Sequence, residues 1–307
     1  MAKRSMSSHA RINSHPAKRQ RDHQDPPCPN SMGTRSRDWA NLADGPAGLI
    51  AELALANDVA DYVRFRAVCR PWRRCTPDPR AGGLDGRYLP RRWIMLDKAI
   101  DASRRRRFLN VSTGECIRMD LPELADAEHW LLALTPEGLL LLLHEPTMGA
   151  RLLNPLTRQL TALPPVTAML TREQQRAGHS GRDLAEALWV TGAGLVVDAA
   201  GGGGGAMVAV CFHCYSVVVA VAKPGDERWA LLHDRYVSST MAFAGRFYLA
   251  AGTRIMVLDT SGASPQLRTV VDRRVRFSGM ADTAHLVDNA GELMLVHRAL
   301  RRVGDSL

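Results

Sequence analysis

The chain has 307 residues, of which 46% are hydrophobic and 23% are charged, so it is neither wholly disordered nor fibrous. The net charge is +9, but residues 1–38 alone hold eight Lys or Arg against three Asp, so charge does not require nucleic-acid binding by the rest of the chain. Apolar runs such as 139–143 and 217–222 are far too short to cross a membrane, and residues 1–22 contain no apolar core of the length that a secretory signal needs.

Residues 1–37 are predicted to be a disordered basic tail, because they contain almost no apolar periodicity. Lys3-Arg4 and Lys18-Arg19-Gln20-Arg21 resemble a bipartite nuclear import signal, and a merely solubilising tail is the alternative. Six cysteines are scattered along a chain that is too long to need disulfides, which favours reduced thiols. We therefore expect a soluble intracellular protein, cytoplasmic, nuclear or both.

Residues 38–75 are predicted to form a small helical unit. Asp44-Gly45-Pro46 is typical of a helix start, with Asp44 as the candidate cap, and an apolar face follows at Leu49, Ile50 and Leu53. Asp58 is predicted to cap a second helix, which carries an apolar stripe at Phe65, Val68, Cys69 and Trp72. About 35 residues cannot form an independent core, so this unit must pack against the rest of the chain or a partner.

Residues 76–92 are rich in Pro and Gly and are predicted to be a linker, and residues 93–300 are predicted to consist of short strands separated by turns. A repeat supports a propeller: Asn110 and Asn154 each start an Asn-x-x-Thr motif between two strands, and they lie 44 positions apart. A repeat of 40–50 residues is typical of propeller blades, so about five blades are expected; a β-sandwich is the alternative. The predicted strands are 92–96, 107–111, 139–143, 194–197, 207–212, 217–222, 246–250, 254–258 and 292–296.

Other motifs have a simpler structural interpretation. Cys211-Phe-His-Cys214 lacks a second ligand pair at metal spacing, so it is interpreted as a core strand, and no metal or cofactor is expected. Arginines such as Arg64, Arg66 and Arg70 are interpreted as the solvated face of an amphipathic helix. The run 104–107 is interpreted as a hairpin tip. No pattern of a catalytic nucleophile is found, although convergent carboxylates in a central channel would indicate a hydrolase.

Two sets of residues carry a family resemblance. Residues 39–73 resemble an F-box, above all in the Val-Cys-Arg-x-Trp-Arg ending at 68–73. The segments LLNPLTRQLTALPP (152–165) and VAKPGDERW (221–229) resemble plant F-box proteins with a C-terminal KIB-type β-propeller, formerly a domain of unknown function. The expected fold is therefore mainly β, with a small N-terminal F-box-like helical unit followed by a β-propeller of about five blades.

The resemblance implies a non-enzymatic, substrate-recruiting subunit of an SCF-type E3 ubiquitin ligase. Its helices would dock on a Skp-type adaptor of a cullin complex and its propeller would bind an unidentified target protein, with no nucleic-acid or membrane partner. The implied adaptor-binding residues are Leu42, Leu49, Ile50, Leu53, Phe65, Val68, Cys69 and Trp72. The family pattern opens with Leu-Pro, whereas this chain has Leu42-Ala43, so the alternative is a propeller scaffold with a degenerate F-box and no ligase coupling.

Overall fold

The computed structural model describes Trp39 and residues 42–96, 104–125, 128–170, 181–197, 205–214, 216–233, 237–262, 264–272 and 282–299. Residues 40–307 form one compact unit, which contains both the helices and the sheets. The predicted tail and its basic clusters lie outside the described residues. Among the residues described, no helix is both long enough and apolar enough to span a lipid bilayer.

Three helices come first: α1 (Asp44–Asn57), α2 (Val59–Val68) and α3 (Arg70–Arg74). The Asp58 carboxylate accepts a hydrogen bond from the backbone N–H of Ala60 at 2.7 Å, which confirms the predicted cap of α2. The predicted cap of α1 was wrong: Asp44 is the first helical residue, and Ala43 occupies the cap position without a side-chain bond. A fourth helix, α4 (Gly181–Ala187), lies between two sheets in the sequence.

Five antiparallel sheets follow in chain order within the described part of the chain, in agreement with the expected propeller class. The first sheet contains β1 (Trp93–Met95), β2 (Arg105–Asn110) and β3 (Cys116–Asp120). The second contains β4 (His129–Leu134), β5 (Leu140–His144), β6 (Gly149–Leu153) and β7 (Leu160–Pro165), and the third β8 (Trp189–Val196), β9 (Met207–Cys214), β10 (Ser216–Ala222) and β11 (Ala230–His233). The fourth contains β12 (Ser239–Phe243), β13 (Arg246–Ala251), β14 (Arg254–Asp259) and β15 (Gln266–Asp272), and the fifth β16 (Asp282–Asn289) and β17 (Glu292–Ala299).

Neighbouring sheets pack face to face, so the middle strands are buried on both faces. In β5, Leu140 and Leu142 belong to the core shared with the first sheet, while Leu141 and Leu143 belong to the core shared with the third. Cys211 of β9 is fully buried in the next core, between the third and fourth sheets, as predicted for a core strand. This arrangement explains why the strand sequences are continuous apolar runs rather than alternating ones.

The first strands of successive sheets lie beside each other: β8 contacts both β4 and β12, and β12 contacts β16. The approach of β8 to β12 depends on glycine, because a Cβ atom at Gly192 would lie 1.8 Å from the Thr240 hydroxyl oxygen. A Cβ atom at Gly194 would lie 2.3 Å from the Cβ of Ala242. These first strands therefore form the inner layer of the sheet assembly.

The sequence repeat corresponds to one repeated turn. In the β2–β3 turn, the Asn110 side-chain oxygen accepts from the backbone N–H groups of Ser112 and Thr113, at 2.9 and 3.2 Å. In the β6–β7 turn, Asn154 makes the same two bonds to Leu156 and Thr157, at 3.1 and 3.2 Å. Both asparagines are buried, so the repeat marks the equivalent hairpin of two neighbouring sheets.

Two interpretations need correction. The run 104–107 is not a hairpin tip, because residues from Arg105 onward belong to β2, where Arg106 is 1% exposed. Residues 76–92, predicted as a linker, include a 3₁₀ helix at Gly86–Tyr88 and a buried run at Tyr88, Leu89 and Pro90. The Asn154 amide donates to the Tyr88 carbonyl at 2.8 Å, so this segment is attached to the second sheet.

Candidate functional site

Helix α1 places its small residues inside and its large apolar residues outside. Ala47 and Ala51 are each 1% exposed, whereas Leu49 and Leu53 are 69% and 72% exposed, and Ile50 is 41% exposed. We call Leu49, Ile50 and Leu53 the α1 face. Fully burying one Leu or Ile side chain is worth about 1.5–3 kcal/mol, so a partner that covered the α1 face would gain a substantial driving force.

The other predicted contact residues divide into two groups. Val68 is 62% exposed at the end of α2, so it shares the exposure of the α1 face. Phe65 is buried and its ring stacks on Trp72, with centroids 4.5 Å apart and planes 16° apart. Leu42 and Trp72 pack against the small core of the helical unit, and Cys69 is half-buried. Phe65 and Trp72 therefore hold α2 and α3 together rather than presenting an outer surface.

Arg66 has an internal role that its sequence context did not reveal. Its guanidinium donates to the Thr76 and Pro77 carbonyls at 2.6 and 2.7 Å and to the Arg73 carbonyl at 3.1 Å. The Arg73 guanidinium donates in return to the Arg66 carbonyl at 3.1 Å. These bonds fold the segment after α3 back on α2, so Arg66 was wrongly interpreted as a solvated charge.

Ion pairs secure the same region. The Arg80 guanidinium donates to the Asp78 carboxylate at 3.0 Å and, with the backbone N–H of Arg80, lowers the pKa of Asp78 to about 2. Arg64, which was also interpreted as solvated, pairs with Asp61 on its own helix and with Glu115 after the β2–β3 turn. The Arg64–Glu115 pair joins α2 to the first sheet.

Asp58 is the main polar link between the helices and the first sheet. Its Oδ1 atom accepts from the Trp93 indole N–H at 2.9 Å as well as from the Ala60 N–H. Its Oδ2 atom accepts from the Asn110 side-chain amide at 3.1 Å. Val59 and Ala60 enter the core between the first and second sheets, so the start of α2 is fixed to the propeller by polar and apolar contacts together.

A family model for the KIB1-4 beta-propeller matches residues 93–306, which is more than two thirds of the chain and includes all five sheets. The chain belongs to the KIB1-4 β-propeller family. Helices α1 to α3 precede the matched region, so the family match concerns the KIB1-4 propeller and not the α1 face. A propeller of this kind implies a protein–protein interaction domain.

Solved structures resemble this chain only weakly. A protein of unknown function from Bacteroides caccae has a TM-score of 0.29 at 15% identity, over 69% of this chain and 73% of its own. The extracellular domain of a one-component system from B. thetaiotaomicron has a TM-score of 0.24 at 11% identity, over 63% of this chain and 29% of its own. The search of curated proteins gave no match.

Potential metal ligands do not cluster in the described part of the KIB1-4 propeller. No group of three or more His, Cys, Asp or Glu side chains there could hold a metal ion. Cys211 is enclosed by apolar neighbours, and burial raises the pKa of its thiol. The side chains of His213 and Cys214 lie outside the described residues. The exposed apolar residues of the helical unit, Leu49, Ile50, Leu53 and Val68, form a candidate functional surface.

Proposed function

We propose that this protein is the substrate-recruiting F-box subunit of an SCF-type E3 ubiquitin ligase. The α1 face, with Val68, docks on a Skp-type adaptor, and the KIB1-4 propeller binds the target protein. The observation that carries the proposal is the arrangement of α1, which buries Ala47 and Ala51 while exposing Leu49 and Leu53. The F-box resemblance of residues 39–73 names the adaptor as the partner for that surface.

The attachment of the helices supports this division of labour. Because Asp58 bonds to both Trp93 and Asn110, an adaptor bound at α1 would be held in a defined position relative to the propeller. Such a fixed geometry suits a subunit that presents a target for modification by other subunits. We therefore propose a non-catalytic protein without cofactor, acting in the cytoplasm, the nucleus or both.

The test is co-purification of the full chain with a Skp-type adaptor. We expect the two to elute together and Leu53→Asp to abolish the complex, because a carboxylate would be buried in an apolar interface. The matched control is Leu231→Asp, since Leu231 is also exposed, at 53%, but belongs to β11 of the propeller. Leu231→Asp should leave the complex intact; equal loss in both variants, or no complex with the unmutated chain, would contradict the proposal.

The start of α1 favours a second candidate, a propeller scaffold without ligase coupling. Ala43 provides no side-chain cap, and Gly45 and Gly48 each lower helix stability by up to about 1 kcal/mol. Ala43→Pro restores the Leu-Pro start and suits the backbone, because φ at Ala43 is −58°. Tighter adaptor binding by Ala43→Pro would support a weakened F-box, whereas target binding with no adaptor binding in either form would support the scaffold.

A further inference from the structure

The KIB1-4 propeller has a large cavity at the end where its first strands finish. Its volume is about 1060 Å³, and we call it the turn-end cavity. Turns of the second, third and fourth sheets contribute Glu137, Lys223 and Gly245, the end of β16 contributes Asp288, and the segment before the first sheet contributes residues 82–86, 89 and 91. Six glycines are among the lining residues that the structure describes, so much of that part of the wall is backbone without side chains. The cavity is large enough to admit a segment of another polypeptide.

Glu137 is the unusual residue of this cavity. It occupies the β4–β5 turn, lines the cavity and is only 6% exposed. Its Oε1 atom accepts from the Leu195 N–H at 3.1 Å, whereas its Oε2 atom is enclosed and has no hydrogen-bond partner. Among the described carboxylates that line the cavity, Glu137 alone has such an unsatisfied buried oxygen.

The turn that carries Glu137 is fixed in place. Gly138 has a φ of 82°, and a Cβ atom there would lie 2.2 Å from the Pro90 carbonyl oxygen. The Gly138 N–H also donates to the Thr135 carbonyl at 2.9 Å. Because the backbone of this turn is held against Pro90, Glu137 cannot easily move out to water, and its carboxylate is kept at the cavity wall.

The charged neighbours favour a cationic ligand. Asp85 already pairs with Arg87 at 2.8 Å, and Asp288 accepts from the Gly291 N–H at 2.9 Å, so both are engaged in their own turns. Arg91 acts on Glu137 through its charge, but no hydrogen bond joins them, and Lys223 is the other cation among the described residues of the wall. A buried carboxylate with one unsatisfied oxygen is best satisfied by a donor that also carries positive charge.

We propose that the turn-end cavity binds a lysine or arginine side chain of the target protein, with Glu137 as its counter-ion. The Glu137 side chain lines the cavity, and a cation that enters beside it would supply the donor that the Oε2 atom lacks, while Oε1 keeps its bond to the Leu195 N–H. This inference rests on the proposed role of the propeller as the target-binding half. It adds the chemistry that the target must offer: an exposed basic side chain on a segment able to enter the cavity.

The test uses the full chain and a short capped peptide, Gly-Ser-Arg-Ser-Gly, against the same peptide with neutral citrulline in place of arginine. Isothermal titration at neutral pH should show at least tenfold tighter binding of the arginine peptide. Glu137→Gln should reduce that preference to less than twofold. Glu227→Gln removes a carboxylate at an exposed position of the β10–β11 turn that does not line the cavity, and it should change nothing.

Two further results separate this inference from the proposed function. Arg91→Gln should increase the affinity for the arginine peptide several-fold, because it removes a competing cation from the cavity wall. Glu137→Gln should leave adaptor co-purification unchanged, and Leu53→Asp should leave peptide binding unchanged. Equal binding of arginine and citrulline peptides, binding that does not respond to Glu137→Gln, or no binding of either peptide would overturn the inference whether or not the adaptor binds.

Discussion

Helix α1 and strand β5 are both rich in leucine, but the leucines of β5 are buried whereas Leu49 and Leu53 of α1 are exposed. Leu140 to Leu143 of β5 are at most 1% exposed, because sheets cover the second sheet on both faces. Leu49 and Leu53 of α1 are about 70% exposed, because the helix packs on its own unit through alanines. The comparison shows that leucine content indicates the amount of apolar surface, whereas the number of neighbouring layers decides whether the chain itself covers it.

The strongest test of this comparison is a pair of identical substitutions. Leu142→Ala should lower the free energy of unfolding by about 2–5 kcal/mol, because it leaves a cavity between the first and second sheets. Leu53→Ala should change it by less than about 0.5 kcal/mol, as expected at an exposed position. Urea unfolding of both variants measures the difference. Similar losses would mean that the α1 face is covered by its own chain and is not a docking surface.

The second prediction concerns the junction between the two regions. Asp58→Ala removes the α2 cap and the acceptor for Trp93 and Asn110, so the free energy of unfolding should fall by about 2–4 kcal/mol. Hydrogen exchange should show α2 and the β2–β3 turn losing protection together. The control is Asp61→Ala, whose ion pair with half-exposed Arg64 is worth about 0–1 kcal/mol. Unchanged protection in the turn would show that the helices are held mainly by Val59 and Ala60.

The sequence was most informative where the physics is local. The β5 run, the Asp58 cap and the turns at Asn110 and Asn154 follow from nearby residues, and all were confirmed. Strands β4, β11, β12 and β16 were not predicted, because such strands are short or leave a weak apolar pattern, as Ser239–Phe243 does.

Roles that depend on distant partners were missed for the same reason. Arg66 was interpreted as solvated because its acceptors, the Thr76 and Pro77 carbonyls, come together only when the segment after α3 folds back. Glu137 was not predicted as a site residue, since its burial requires Leu195 and Pro90 from other elements. The exposed apolar face of α1, in contrast, was indicated by the apolar spacing at Leu49, Ile50 and Leu53, because that spacing lies within one helix.

The smallest expected effect extends the comparison from buried leucine to buried charge. Burial raises the pKa of Glu137, and this outweighs the lowering by its own backbone N–H, by the Leu195 N–H, by the Thr135 hydroxyl and by the charge of Arg91. The folded protein therefore binds this proton more tightly than the unfolded chain, and the resulting stability is full below the ordinary pKa of Glu, about 4.5, and is lost as pH rises through the raised pKa. The Glu137→Gln variant has no ionisable group at this position, so it does not lose this stability as pH rises.

The stability gained by Glu137→Gln should thus be near zero at pH 4 and should grow to about 1–2 kcal/mol at pH 8. Comparing variant and unmutated chain at each pH by urea unfolding cancels the other titrating groups. Glu227→Gln, which alters an exposed carboxylate, should show no such trend. A constant difference across this range would mean that Arg91 already neutralises Glu137, in which case the turn-end cavity would have no unmatched charge to offer a basic side chain.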